Sequence, residues 1–479
     1  MYQEICRNDR TLRDYQQEAK KQIFESWEDC DNVMFQMPTG TGKTRLFTSI
    51  ISDIKAWSII NQEDARVLII AHRVELIEQI SESLNRYKVS HGIIAGGHER
   101  NIQAQVQVAS IQTITHRANI EVARSLPIRF IIIDEAHHST ANSYKKLWEL
   151  YPSAKKLGVT ATPWRMNHQG FAKIYDKLIL SRSIKEFIEQ GWLSPYCFYS
   201  IGSGSKVTQE INSIDEFDIE GDYKISALEK TIDQSAIRAQ LLDSYLQFAK
   251  GKKGIIYSIS RKHSDHICAE YKAKGVNIVR IDSETPREER RLYVQKFRKG
   301  QIDIIVNVDI FSEGFDCPDI EFIQLARPTK SLVKYLQQVG RGLRPVNGKG
   351  KCIILDNVGS YLEFGLPDAN RDWYSDFIGE QNEYPKTSVP SRVSNFNIKE
   401  KSFSEGNDVI GLIEDVDISG NQTQQIIGDW SSDDDILLRT LVEDRQCSLD
   451  VVASVFKRSV ESIQKRCVDL SISYEATNG

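Results

Sequence analysis

Val33-Met34-Phe35-Gln36-Met37-Pro38-Thr39-Gly40-Thr41-Gly42-Lys43-Thr44 opens as a compact apolar run and breaks at Pro38. It then passes through two glycines into the helical pattern Arg45–Lys55. A strand, a glycine-rich turn and a helix in that order let successive backbone N–H groups point inward and cradle phosphate oxygens. In that cradle Thr39, Gly40, Thr41 and Gly42 supply backbone. Lys43 supplies positive charge toward the β- and γ-phosphates of ATP, and the Thr44 hydroxyl is a ligand for Mg²⁺. Met37 stands where the strict G-x-x-x-x-G-K-[ST] pattern has its first glycine, so the flanking strand and helix carry the reading.

Working outward, short apolar runs recur at Val67–Ala71, Val106–Ala109, Phe130–Ile133 and Leu157–Thr160, with helical stretches such as Arg73–Tyr87 and Tyr144–Leu150 between them. Continuous apolar runs, as opposed to alternating ones, mark strands buried on both faces of a parallel sheet. The pattern repeats at Gly254–Ser258, Val276–Ile281, Ile302–Val308, Phe322–Leu325 and Lys351–Asp356, with Arg287–Lys299 as an intervening helix. The fold class expected is α/β, as two tandem doubly wound parallel-sheet lobes. The division predicted is lobe one over 1–188, lobe two over 189–375, an acidic polar linker over 376–427 and a three-helix unit over 428–479. Gly191-Trp192-Leu193-Ser194-Pro195 reads as the passage between the lobes, and one short strand pair is placed near Val409–Ile418.

At 479 residues the chain has room for about three domains at roughly 150 residues each. Its 40% hydrophobic and 27% charged residues exclude a wholly disordered or collagen-like chain. No apolar run approaches the ~20 residues of a membrane span, and residues 1–10 lack a signal peptide's apolar centre. A cytoplasmic protein with no membrane partner is therefore expected. The eight cysteines form no Cys-x-x-Cys pair, so no zinc site is expected and buried thiols are favoured. From residue 376 onward there are 10 Lys+Arg against 19 Asp+Glu, which leaves residues 1–375 weakly positive. The tail cannot bind a phosphate backbone by bulk charge.

About ninety residues after the phosphate loop, Phe130–Ile133 ends in Asp134-Glu135-Ala136-His137. Carboxylates at the carboxyl end of a strand face the crevice where α/β sheets bind ligands. Asp134 is suited to hold the metal, and Glu135 to orient or deprotonate the attacking water.

With these segments the chain resembles the superfamily 2 helicases and translocases carrying a DEAH box. The resemblance runs over roughly residues 10–360. It implies that Gln16 in Leu12-Arg13-Asp14-Tyr15-Gln16 reads adenine beside Arg13. Arg73 in Ala71-His72-Arg73, with Gln112 and Thr113 in Ser110-Ile111-Gln112-Thr113, would touch a nucleic-acid backbone. Thr160 and Thr162 in Thr160-Ala161-Thr162-Pro163, with His137, would couple the ATP site to the strand path. In the second half, Ile256-Tyr257-Ser258 with His263 fits the fourth motif. Glu313-Gly314-Phe315-Asp316 fits the fifth, which puts Gly314 and Asp316 near the ribose. Gln337-Gln338-Val339-Gly340-Arg341-Gly342-Leu343-Arg344 fits the sixth. Two arginines three apart on a helix share a face, and their fixed charge suits a phosphoryl transition state. Gln337, Arg341 and Arg344 are therefore expected near the γ-phosphate, acting with Lys43 and Glu135.

The phrases Gly191-Trp-Leu-Ser-Pro, Glu313-Gly-Phe-Asp-Cys-Pro and Val339-Gly-Arg-Gly-Leu-Arg are most similar to bacterial RadD-type proteins. Type I restriction translocase subunits and XPB-like helicases resemble the chain more widely. RadD-type proteins follow the core with a cysteine-rich zinc region that this chain lacks. The resemblance implies two RecA-like lobes, ATP and Mg²⁺ as cofactors, and nucleic acid as partner, with DNA favoured over RNA. An ATP-switched clamp that recruits a protein through the tail is the alternative.

The C-terminal stretch places Ser431 or Ser432 as an N-cap before Asp433–Asp435. Helical patterns follow over Leu449–Phe456 and Val460–Leu470. Three short helices ending in Gln464, Lys465 and Arg466 resemble a Myb-like or helix-turn-helix unit, with DNA narrowly ahead of protein as its ligand. The segment carries 6 basic against 10 acidic residues, which weighs against DNA.

Overall fold

A computed structural model describes residues 2–308, 317, 319–346, 348–380 and 411–412, and from 435 to 472 a partial set that includes 460–470. Seven strands form the first sheet: β1 Asn32–Gln36, β2 Arg66–Ala71, β3 Gly92–Ile94, β4 Val106–Ser110, β5 Ile128–Asp134, β6 Lys155–Thr160 and β7 Lys177–Leu180. Their order is β3-β4-β2-β5-β6-β1-β7, and every pairing is parallel. The second sheet holds β8 Tyr196–Ser200, β9 Gly254–Tyr257, β10 Ile278–Ile281, β11 Ile304–Asn307, β12 Phe322–Leu325, β13 Cys352–Asp356 and β14 Gly411–Leu412. Its order is β10-β11-β9-β12-β13-β8-β14, again all parallel.

The central strands are buried along most of their length because both faces are covered by helices, as their unbroken apolar runs require. One apolar cluster runs from lobe one, through Tyr15, Phe187, Leu193 and Tyr196, into lobe two. The other face of the first sheet has its own cluster around Ile131, Ile133, Tyr144 and Phe171. Among the described residues, no helix is long and apolar enough to cross a membrane. None of the seven described cysteines forms a disulfide, and four of them are buried.

The division at 375/376 falls inside the helix Trp373–Ile378. That helix returns to lobe one, where Phe377 joins the cluster around Phe171 and its carbonyl accepts from the backbone N–H groups of Phe171 and Ala172. The chain therefore enters lobe two and comes back. Gly411–Leu412, within the expected linker, adds to β8 as a parallel edge strand, and the rest of the strand pair expected near Val409–Ile418 lies outside the described residues. Near the C-terminus, Leu438, Val442, Leu449, Val452, Phe456, Ile463, Cys467 and Ile472 form a separate small core against the helix Val460–Asp469. There Arg466 makes a two-pronged ion pair with Asp435, at 2.7 and 2.6 Å.

Candidate functional site between the lobes

β5, β6 and β1 are neighbours in the first sheet, so their carboxyl ends present Asp134, Thr160 and the loop Met37–Thr44 side by side. Register fixes the alignment: Asp134 pairs with Val159, and Gln36 with Thr160. Adjacent strands lie ~4.8 Å apart, so β5 and β1 bracket a site about 10 Å wide.

The loop takes its shape at two glycines. Gly40 and Gly42 sit at φ +87° and +95°, a left-handed conformation that side chains disfavour. Thr41 closes the turn by donating its hydroxyl to the Pro38 carbonyl at 2.7 Å. Lys43 Nζ rests on the Met37 carbonyl at 3.3 Å, a long bond that an anion can replace.

The glutamine segment braces this loop from behind. Gln16 is 3% exposed, and its amide donates to the carbonyls of Thr41 (3.3 Å) and Gly42 (3.1 Å) while its oxygen accepts from the Arg13 N–H. Tyr15 adds a hydroxyl bond to Thr41 O at 2.7 Å. Gln16 thus holds the phosphate loop directly. Arg13 donates to the Tyr15 hydroxyl and lies 4.4 Å over the Trp192 ring, tying the interlobe passage to lobe one. Lys20, fully buried, joins this helix to the one following the loop through Asp53 (2.8 Å) and Ser49 (3.2 Å). Burial pushes the Asp53 carboxyl up even with that partner.

Glu135 follows β5 at φ +50°, which turns its side chain out of the strand direction. One of its carboxylate oxygens is buried without a hydrogen bond and lies 3.4 Å from His137 Nδ1. His137 Nδ1 also meets the Thr160 hydroxyl at 3.1 Å, and that hydroxyl accepts from the Thr162 N–H at 3.1 Å. The DEAH segment and the Thr160–Thr162 segment are therefore in direct contact.

Lobe two closes over the loop. The helix Leu332–Gly342 carries Gln337 and Arg341, both buried, while Arg344 lies just past its end. Arg344 therefore shares the site but not the helix. A side-chain carbon placed on Gly40 would meet Arg344 Cγ at 3.1 Å and Leu193 at 3.4 Å, and one on Gly340 would meet Thr39 Cβ at 2.9 Å. The carbonyls that end this helix are held by Ser194, whose N–H donates to Leu343 O (2.7 Å) and hydroxyl to Arg344 O (3.0 Å), and by Lys349 (2.9 Å to Arg344 O). Gly314 and Asp316 lie outside the described residues.

Thr39 Oγ1, Glu135 Oε2, Thr162 Oγ1 and Gln337 Nε2 are buried here without hydrogen-bond partners. Buried polar atoms normally find partners, and this set beside the glycine-rich loop fits a metal-bound triphosphate.

Arg73 and the pair Gln112–Thr113 follow the neighbouring strands β2 and β4. Gln112 accepts from the Ser110 hydroxyl at 2.6 Å and donates to the His72 carbonyl at 3.0 Å, so its amide links the two segments. The lobes also meet here, through Arg290–Glu75 at 3.2 Å and an Arg287–Glu78 pair. Sequence reasoning missed Tyr15, Trp192, Ser194 and Lys349 as supports. Tyr15 and Trp192 stood inside quoted motifs, but their partners are distant in the chain.

A phosphate loop, a paired carboxylate and arginines from a second lobe define a two-lobed P-loop ATPase. Residues 9–165 match the family described as type III restriction enzyme, res subunit, and residues 237–346 match the helicase conserved C-terminal domain. A 51.5 kDa protein of a Lactococcus phage is 35% identical over 72% of this chain and 70% of its own length. IRC3 of Saccharomyces cerevisiae, inferred to be an ATP-dependent helicase, is 30% identical over 74% of this chain but only 52% of its own. The DNA 3'-5' translocase XPB2 of Sulfurisphaera tokodaii is 26% identical over 73% of this chain and 82% of its own. Among solved structures, a fragment of an inferred HsdR subunit of a type I restriction enzyme from Vibrio vulnificus matches at 20% identity with a TM-score of 0.59, covering 79% of this chain and 69% of that one. The chain belongs to the superfamily 2 helicases, and it is an ATP-hydrolysing member of that family. It spans about half the length of the yeast relative.

Proposed function

We propose that this protein hydrolyses ATP to translocate on duplex or branched DNA. The observation that supports the reading is the close approach of Gly340 to Thr39 and of Arg344 Cγ to Gly40, which puts the second lobe's helix Leu332–Gly342 and the arginine after it beside the first lobe's phosphate loop. Lys43 would leave the Met37 carbonyl for the β- and γ-phosphates. Thr44 and Asp134 would hold Mg²⁺, which when bound neutralises charge growing on the phosphate oxygens. Glu135, with a buried oxygen lacking a hydrogen bond, would orient the attacking water and take its proton. Arg341 and Arg344 would stabilise the transferring phosphoryl charge only while the lobes are together, so binding and release of nucleotide would rock one lobe against the other.

If Arg73 and Thr113 grip one strand's backbone, each cycle advances one lobe along it. Phosphate contacts carry no base information, so movement would be independent of sequence. DNA is favoured over RNA because the similar XPB2 protein is named a DNA translocase. For the C-terminal unit, the commitment of Arg466 to Asp435 and the excess of acidic residues favour a protein partner over a DNA groove.

The test is ATPase activity with single-stranded, duplex, forked and RNA ligands. Stimulation by duplex or forked DNA supports the reading, and a rate that ignores every nucleic acid rejects it. A triplex-displacement assay separates movement from an ATP-switched clamp, which would leave the third strand in place.

A further inference from the structure

Between β8 and β9 the second lobe carries a short hairpin whose tip meets the first lobe. Phe217 and Tyr223 pair across it as an antiparallel bridge, with their rings 5.6 Å apart. The turn closes on Asp218, whose carboxylate accepts from the N–H groups of Glu220 (2.9 Å) and Asp222 (3.0 Å). A side-chain carbon placed on Gly221 would stand 4.0 Å from Met166 Cβ, in the lobe-one segment that follows Thr160–Thr162. The neighbouring pair agrees: burial lowers the Arg165 guanidinium from its ordinary value, and the Glu220 carboxylate opposes that shift.

Asp222 joins this hairpin to the helix that carries Gln337 and Arg341. Its side chain is 1% exposed and accepts from the Thr329 hydroxyl (2.9 Å), the Lys330 N–H (2.8 Å) and Lys334 Nζ (2.8 Å). Thr329 and Lys330 lead into the helix Leu332–Gly342, and Lys334 lies in its first turn. Gln337 and Arg341 follow Lys334 by three and seven residues, so all three share one stripe of the helix. A grip on Lys334 therefore sets how far the helix is rotated about its axis. At the ~5–6 Å radius of a helix with its side chains, a rotation of ~20° moves a side-chain end by ~2 Å. Misplacing a group at the reacting atoms by ~1 Å can cost ~100-fold in rate.

We propose that Asp222 is a positioning residue: it makes the hairpin Phe217–Tyr223 a strut between Met166 and the helix Leu332–Gly342, and so aims Arg341 at the phosphate loop. The proposal rests on the reading of Arg341 as a residue that reaches the γ-phosphate, and it names what holds that residue in place. About 10 Å of helix separates Lys334 from Arg341, so Asp222 acts through the helix. Its loss slows the chemical step and leaves nucleotide affinity in place.

The experiment uses the full chain with Asp222→Asn, Lys334→Ala, Lys334→Arg, Met166→Ala, the double variant Asp222→Asn/Met166→Ala, and Arg341→Ala. It measures single-turnover hydrolysis, binding of a non-hydrolysable ATP analogue and melting temperature. Asp222→Asn and Lys334→Ala are expected to slow hydrolysis by about 10-fold or more, with analogue affinity near wild type. Lys334→Arg keeps a cation for the carboxylate and restores most of the rate. Met166→Ala slows hydrolysis less, and adding it to Asp222→Asn slows it no further, because both break the same strut. Wild-type hydrolysis in Asp222→Asn or Lys334→Ala overturns the proposal. So does analogue affinity that falls in step with the rate, a Lys334→Arg as slow as Lys334→Ala, or losses that multiply in the double variant. If Asp222→Asn does not fold, the two Lys334 variants decide, since that side chain is 29% exposed. Wild-type hydrolysis in Arg341→Ala overturns the strut and the reading of Arg341 together, whereas a slow Arg341→Ala beside a fast Asp222→Asn overturns only the strut.

Discussion

Gly340→Ala perturbs the meeting of the lobes and little else. Gly340 lies within the helix Leu332–Gly342, where alanine is favoured over glycine by ~0.5–1 kcal/mol, so lobe two by itself gains stability. The added methyl group would stand 2.9 Å from Thr39 Cβ, and Thr39 Cγ2 is 3.3 Å away. Neither carbon is the end of a flexible side chain, so the lobes must separate slightly to admit it. Overpacking of this kind costs ~1–3 kcal/mol, charged here only to the closed arrangement. At 1.36 kcal/mol per tenfold, hydrolysis falls by about 5- to 150-fold. The clash falls on Thr39 at the start of the loop and not on Gln16 or Lys43, so ATP affinity is expected to hold and the melting temperature to hold or rise. Single-turnover hydrolysis, binding of a non-hydrolysable ATP analogue and thermal melting check the three parts. Wild-type hydrolysis in Gly340→Ala would refute the claim that closure across Thr39 is required for chemistry.

Other outcomes follow from the same geometry. Glu135→Gln should abolish hydrolysis and spare ATP binding, whereas Lys43→Ala should lose both; equilibrium binding and ATPase assays read the difference. Gln16→Ala removes two bonds to the loop carbonyls and one from the Arg13 N–H, and should raise KM for ATP severalfold, measured by steady-state kinetics. Phe377→Ala should destabilise the protein by ~3–5 kcal/mol by opening a cavity in lobe one, although the residue lies past lobe two in the chain; thermal melting tests it. His263 is buried, and desolvation lowers its imidazole to about 4, while an unfolded histidine titrates near ~6.5. Between those values the unfolded chain binds the extra proton, so stability declines as pH falls from about 6.5 toward 4. His263→Gln, which keeps an acceptor for the Ile259 N–H, should flatten that decline in melting temperature against pH.

Much of the fold could be read in the chain because the interior strands of a parallel sheet are apolar on both faces. Val67–Ala71, Phe130–Ile133 and Phe322–Leu325 announced themselves that way. The strands that escaped lack the signal. β3 is three residues long, β7 is an edge strand with Leu180 exposed, and β8 alternates buried with half-buried positions. The phosphate loop and the carboxylates were legible because each is contiguous and bound to a strand end. Arg344 was expected on the helix and lies past its end, since Ser194 and Lys349 hold the last carbonyls. The return of Phe377 to lobe one gave no local sign, because a short amphipathic stretch does not name the surface it covers.

The most direct test of two lobes sharing one ATP site is Arg341→Ala, read by single-turnover hydrolysis beside binding of a non-hydrolysable analogue. The account predicts analogue affinity near wild type and a hydrolysis rate reduced by on the order of 10³-fold or more. Hydrolysis within a few-fold of wild type would contradict it.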